Sequence, residues 1–466
     1  MSSSEPPLLA GATKELAEFA SSLSYDQIPE EVIQRMKTSV LDSIGCCVFG
    51  ATLPWTQRVQ DMVLADEAKG VSSLYGSGMK TSISNAVLVN ATAGHAFELD
   101  DIHKESIVHP GSIAVPVIVA LAEAKGACSG KDFLTSMVAG YEIGTRVGNA
   151  ATMSLFFRGF HPQGTSGVFV AAASAGRMLQ LDANQMVHAL GIVGSQAGGL
   201  MAAQEGAMVK RFHSGRAAQS GVYSALLAQR GFTGITDVLE AAYGGYLSSY
   251  SDKPNARRLT DGLGSEWEAG KVGYKPHASV TSIHSALDAL AQIMNEHELA
   301  ADDVERVEVG VSHMTFVHCA WDYKAQGVTA AQMNLYYGLA IMAYDRMAFV
   351  EQYREDRLAD PRVMDFITRI HAYTDPDIDA MGAAFRHAAR VKIITRTGQT
   401  FHQEILNRRG SPENPLSYDD VEYKFRHVVG GCLDHGDINQ IIDLCHALDT
   451  LADIQPLIQV LAAKRG

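Results

Sequence analysis

Four short stretches of this 466-residue chain hold side chains that can move protons and grip acids. The first runs from Gly94-His95-Ala96-Phe97-Glu98-Leu99-Asp100-Asp101-Ile102-His103 to Val108-His109-Pro110-Gly111-Ser112. Counting Glu105, it carries four acids and three histidines ahead of a helix start. His109 directly precedes Pro110 and two small residues, which places it at a helix N-terminus, where the dipole attracts carboxylates and favours a neutral imidazole. The second stretch is Arg158-Gly159-Phe160-His161-Pro162-Gln163-Gly164-Thr165, in which a histidine between an aromatic residue and a proline repeats that arrangement. The third, Gly206 to Arg216, gathers Lys210, Arg211, His213 and Arg216 within seven residues. The fourth is Gly273-Tyr274-Lys275-Pro276-His277-Ala278-Ser279, followed by Ile283-His284. Imidazoles titrate near neutrality and serve as general acids or bases, while lysine and arginine hold carboxylates and stabilise developing negative charge. The set therefore suits proton transfer on a bound acid.

Plainer readings compete with this one. A charged run is usually a solvated face, and an acidic loop usually a surface loop. The cationic run 206–216 is flanked by apolar, Gly-rich segments, which favours a pocket lining. Glu98, Asp101, His103 and His109 could be imagined around a metal, but their spacing matches no standard site, so no metal is expected. Gly76-Ser77-Gly78-Met79-Lys80-Thr81 lacks the spacing of a phosphate loop, and Ser166 lacks the strand-borne G-x-S-x-G of a nucleophile elbow. Both read as turns.

The elements that must position these residues are mostly helices. Up to about residue 250, apolar residues recur every three or four positions, as in Ile33-x-x-Met36-x-x-x-Val40-x-x-x-Ile44. Further helices are predicted over 112–124, 131–150, 166–179, 183–191 and 217–230, with Ser129 and Asp182 as N-caps. Small-residue tracts such as Ala171 to Gly176 predict close helix packing. After about residue 264 the pattern changes. A helix over 281–297 leads to a strand over 304–311, and segments 390–395 and 400–405 around Thr397-Gly398 read as a hairpin. Helices over 330–343 and 361–371 lie between them, and the chain returns to helix from 421. The expectation is a mainly α protein, with a large all-helical domain (1–268) interrupted by a smaller α+β lid domain (269–409) and completed by C-terminal helices (410–466). The fourth stretch then falls at the domain boundary, a favoured place for small-molecule sites.

The composition fits a folded protein, with 47% hydrophobic and 19% charged residues. A net charge of −14 makes nucleic acid an unsuitable partner. No Lys/Arg cluster of a membrane-surface helix is present, and apolar runs such as 114–122 fall well short of the roughly 20 residues of a membrane span. An acidic substrate would need a pocket that reverses the chain's sign locally. Residues 1–7 lack the basic and apolar regions of a signal peptide. The six cysteines form no C-x-x-C pair and read as reduced core thiols, so a cytoplasmic protein is expected.

In order and separation, the four stretches resemble the MmgE/PrpD family over nearly the whole chain, as far as Leu448-Asp449-x-Leu451-x-Asp453-Ile454. The most specific matches are Glu98-Leu99-Asp100-Asp101, His109-Pro110, Gly199 to Gln204, Lys210 with Ala217-Ala218, and Tyr243-Gly244-Gly245-Tyr246. The family includes 2-methylcitrate dehydratase, cis-aconitate decarboxylase and iminodisuccinate epimerase. The resemblance implies a helical domain with a smaller lid, a homodimer, a small polycarboxylate substrate and no metal or organic cofactor. It further implies that His109, His161, Lys210 and Lys275 are the catalytic residues. Asp101 and His103 would orient the first histidine, and Glu98, Arg211, His213 and His277 would bind or orient substrate. The spacing from Asp101 to His109 is similar to that of fungal members. Decarboxylases and many dehydratases carry Cys or His four residues before the histidine matching His284. Here that position is Val280, which exchanges no proton. Dehydration, decarboxylation, epimerisation and simple tricarboxylate binding by a non-catalytic dimer all stay open.

Overall fold

The computed structural model describes residues 9–465, so the reading of residues 1–7 lies outside the described residues. The protein is mainly α. Helix Glu30–Ala51 buries Val32, Ile33, Met36, Val40, Leu41 and Ile44, the stripe that the three- and four-residue spacing predicts. Helices Ile83–Gly94, Gly111–Lys125 and Gly130–Phe157 pack on it, and Gly167–Met178 and Val209–Gln229 pack on these in turn. The caps form as expected: Ser129 accepts the Asp132 N–H, and Asp182 makes a capping box with Gln185. Close packing of the small-residue tract is physical. A Cβ at Gly140 would sit 2.0 Å from Ser174 Oγ, and one at Gly221 would sit 2.2 Å from the Ala171 Cβ.

Two elements differ from the sequence reading. The helix expected over 217–230 begins at Val209, so Lys210, Arg211 and His213 lie on its first turns and are buried. Its polar side chains face inward, which removes the apolar contrast that marks an ordinary amphipathic helix. The helix expected over 361–371 ends at Ile367, and Ile370–Thr374 is a strand running parallel to Val304–Val311. That strand is an edge of a four-stranded sheet, in the order Ile370–Thr374, Val304–Val311, Ala389–Thr395, Thr400–Ile405. The last two form the predicted antiparallel hairpin. The segment 330–343 is broken into Val328–Gln332 and Leu335–Asp345, with Asn334 capping the second by accepting the Tyr337 N–H.

After the sheet, helices Tyr418–Val429 and His435–His446 pack back on Glu30–Ala51. Lys424 Nζ lies 2.6 Å from Asp42 in a buried tie across the chain, and Lys37 Nζ lies 2.8 Å from the partly exposed Asp449. All six cysteines are free. No helix among the described residues is long and apolar enough to cross a membrane.

Candidate active site

The helical part and the sheet-bearing part meet around a cavity whose walls include Glu98, His109, His161, Lys210, Lys275 and Val280. Glu98 is its electrostatic hub. Its carboxylate accepts from Lys210 Nζ, from Arg211 Nη1 at 2.5 Å and from Lys275 Nζ at 3.0 Å. Burial alone would raise this carboxyl, but Lys210, Lys275 and Arg211 together hold it well below the usual carboxylate range. Burial in turn brings the Lys210 ammonium down to about 8, with Arg211 and Lys275 adding to the effect and Glu98 opposing it. Glu98 has φ of +55°, a left-handed conformation uncommon outside glycine, and Ile107 beside the cavity has φ of +56°. Strain of this kind is typical of loops that aim a functional group.

Gln332 ties the hub together. Its Oε1 accepts from Arg211 Nη2 at 3.1 Å, while its Nε2 donates to Phe97 O at 2.8 Å and Ala278 O at 3.0 Å. One amide thus couples the Glu98 loop, the cationic helix and the loop that carries Lys275.

The histidines form a row. Ring centroids are 4.9 Å apart from His109 to His95, 5.7 Å from His95 to His161, and 5.1 Å from His161 to His213. His109 precedes helix Gly111–Lys125, and Gln163 grips its backbone by accepting its N–H at 2.8 Å and donating to its carbonyl at 3.1 Å. His161 caps the short helix Pro162–Thr165, and its Nδ1 lies 2.8 Å from His213 Nδ1. Burial, then Lys210, keeps the His161 imidazole well below its ordinary range, so it is neutral at pH 7. Burial likewise brings His95 and His213 down to about 4.

The carboxylate beside His109 is Asp100, which the sequence reading passed over. Asp100 Oδ1 lies 3.4 Å from His109 Nδ1, and its Oδ2 lies 2.7 Å from His95 Nδ1. Burial opposes ionisation of Asp100, but His109 and His95 hold its carboxyl well below the usual range. His95, Asp100 and His109 place one ligand-type atom each within 4.8 Å of the others. The four residues considered at the sequence level as a metal set are not brought together in this way.

Asp101 supports the histidine loop from behind. Its Oδ1 accepts the Gly111 N–H at 2.9 Å, and its Oδ2 accepts from Tyr141 at 2.6 Å. Burial pushes this carboxyl up to about 8, Asp42 and Asp100 contributing and the Tyr141 hydrogen bond opposing. A carboxyl raised in the fold stabilises it in its protonated form; that contribution is complete below about pH 4 and is lost as pH rises through about 8. Asp101→Asn, whose amide can satisfy both partners, should therefore gain a few degrees in Tm on wild type as pH rises from 5 to 8. Melting curves of both proteins across that range check this, and a gap that does not change with pH counts against it.

His103 does not reach His109. Its Nδ1 is 2.9 Å from Ser106 Oγ and its Nε2 is 2.9 Å from Glu268, which also holds Asn149 and Lys271. Both ring nitrogens are occupied, so His103 fastens the strand pair Ile102–His103 and Val272–Gly273. His277 also lies apart from the cavity, paired with Asp288 at 2.9 Å and edge-on to His284. Arg211 is bound to Glu98, and His213 stands behind His161.

A further part of the lining was not singled out from the sequence. It carries Lys104, Arg386, His387 and His318, the last held by Gln204 at 2.6 Å. The cavity is therefore lined by Lys104, Lys210, Lys275 and Arg386 against one carboxylate, Glu98. In a chain of charge −14, this is the local reversal of sign that an anionic ligand requires.

Residues 14–258 match the MmgE/PrpD N-terminal domain, and residues 277–449 match the MmgE/PrpD C-terminal domain. The chain is 32% identical to cis-aconitate decarboxylase of Aspergillus terreus, over 97% of this chain and 96% of that protein. It is 30% identical to cis-aconitate decarboxylase-like protein oryM of Aspergillus oryzae, over 97% of each. It is 25% identical to human cis-aconitate decarboxylase, over 97% of this chain and 95% of that protein.

Proposed function

The chain belongs to the MmgE/PrpD family, and on that premise we propose that it is a lyase for a small polycarboxylic acid, with decarboxylation of a cis-aconitate-like acid as its reaction. The cation-lined cavity that also presents His109 and His161 carries the reading, and the names of the relatives support the choice of reaction. Lys210 and Lys275 hold carboxylates of the substrate. The bond to one carboxylate breaks, CO2 leaves, and the electron pair passes into the adjoining alkene and a neighbouring carboxylate. Nearby cations stabilise that charge. His109, set against the Asp100 carboxylate, delivers a proton to carbon and regains it from solvent. His161, neutral and backed by His213, completes the polar wall. Val280 lies on the cavity wall at the position where decarboxylases carry Cys or His and supplies no proton, so in this reading His109 alone delivers it.

These steps need no cofactor, and turnover should survive exhaustive dialysis against a chelator. The sheet-bearing part, 269–409, acts as the lid on a helical body made of 1–268 and 410–466. The return of the C-terminal helices to Glu30–Ala51 supports that division. We place the protein in the cytoplasm as a homodimer. Support for self-association comes from large apolar side chains exposed at Leu200, Met208, Val209, Tyr223 and Phe232.

The decisive experiment incubates the protein with a panel of di- and tricarboxylates in D2O and follows them by NMR. The expected result is loss of CO2 from an unsaturated tricarboxylate with one deuterium incorporated at carbon. Reversible loss of water assigns dehydration instead, and deuterium exchange with no net loss assigns epimerisation. Binding without any turnover refutes the enzyme reading.

A further inference from the structure

Arg386 and His387 belong to the turn that leads from Ala383–Phe385 into strand Ala389–Thr395, far in sequence from the histidine row and the cationic helix. Both side chains nevertheless line the same cavity as Lys210 and Lys275. They are 8% and 7% exposed, close to full burial. The backbone here is fixed: Ser312 Oγ donates to the Arg386 carbonyl at 2.6 Å and Thr315 Oγ1 at 3.0 Å. Both terminal nitrogens of the guanidinium are held as well, each by one N–H, since Nη1 donates to Ala383 O at 3.2 Å and Nη2 to Lys104 O.

What is left over points to a ligand. Arg386 Nε and His387 Nδ1 are buried and have no partner among the described residues. Arg386 forms no ion pair among them either, whereas Lys210, Arg211 and Lys275 share Glu98. A buried guanidinium without a carboxylate is costly, and a chain with 52 acidic residues does not lack candidates to supply one. Burial brings the Arg386 guanidinium down to about 10, with Glu105 and Glu413 opposing from beyond ion-pair distance. Guanidinium groups pair with carboxylates in a planar, two-point geometry that lysine cannot reproduce.

We propose that Arg386, with His387 beside it, binds a further carboxylate of the substrate, beyond those held by Lys210 and Lys275, and so selects for acids that carry it. The inference rests on the reading of the cavity as a polycarboxylate site. It adds a second cation from the sheet-bearing part, besides Lys275, to the Lys210 of the helical body.

The test is a double-mutant cycle read by calorimetry, with tricarballylate and glutarate, which lacks one carboxylate, as probes against wild type and Arg386→Met. Arg386→Met should weaken tricarballylate binding about 30-fold or more, as expected for truncating one partner of a buried charged pair. The step from tricarballylate to glutarate should then matter much less in the variant than in wild type. Arg386→Lys, which keeps the charge without the fork, should fall between the two and guards against a variant that fails to fold. Losses that simply multiply, or unchanged tricarballylate affinity, overturn the subsite alone. Failure of the wild-type protein to bind tricarballylate overturns the polycarboxylate reading, and this proposal with it.

Discussion

Lys210→Ala is expected to lower kcat/KM by about 10²- to 10³-fold, the range seen when one preorganised group that stabilises developing charge is removed. The same change should cost the fold little. Lys210 is buried, but its partner Glu98 keeps Arg211 at 2.5 Å and Lys275 at 3.0 Å, so no carboxylate is left alone. A stability loss of about 1–2 kcal/mol follows, well under the several kcal/mol of an orphaned buried charge. Rate and melting temperature measured on the same preparations separate the two effects, and parallel collapse of both would sink the catalytic assignment. A second readout is the alkaline limb of the pH profile. Burial brings Lys210 down to about 8, so its cation, and the activity that needs it, is lost as pH rises through that value. Lys210→Arg should move the limb upward, because guanidinium stays charged.

That Lys210 could be picked out at all reflects how a cationic cluster stands out in an acidic chain. His109 and His161 were legible for a related reason, since each sits before a proline at a helix start, a local pattern that fixes position without knowledge of the fold. The limits are equally physical. Asp100 and Asp101 are adjacent, and only the turn geometry decides which carboxylate meets His109 and which meets Gly111 and Tyr141. His103 looked like a site residue because Glu268, 165 positions away, is invisible to local reading. His95 reads locally as part of an acidic loop, and only the fold sets it between His109 and His161. Arg386 and His387 carry no local signal, as they lie in an ordinary turn before a strand. The mainly α character and the predicted hairpin came through because periodicity is local. Strand Ile370–Thr374 was absorbed into the preceding helix because its alternation is too short to outvote the helical run.

Glu98→Gln should have the largest effect on the fold. In wild type one carboxylate, 3% exposed, answers three buried cations, and no other carboxylate lies within ion-pair distance of any of them among the described residues. The amide keeps the shape and can accept hydrogen bonds, but it leaves three positive charges facing one another in a desolvated pocket. Breaking a buried pair by removing one partner costs about 3–5 kcal/mol, and Lys210, already brought down to about 8, should lose its proton more readily still. The pH dependence distinguishes charge from shape. Because the Glu98 carboxyl is held well below its ordinary value in the fold, the stability it contributes is complete above its unfolded pKa of about 4.3. It is lost as pH falls through the folded value. The gap in Tm between wild type and Glu98→Gln should therefore narrow below pH 4. A gap that persists unchanged at low pH would mean that packing, rather than charge, sets the cost. The same variant should regain part of its melting temperature when a small polycarboxylate such as tricarballylate is added, because the ligand then supplies the negative charge that Glu98 no longer does. If tricarballylate instead stabilises wild type more than the variant, Glu98 shapes the site rather than balancing its charge.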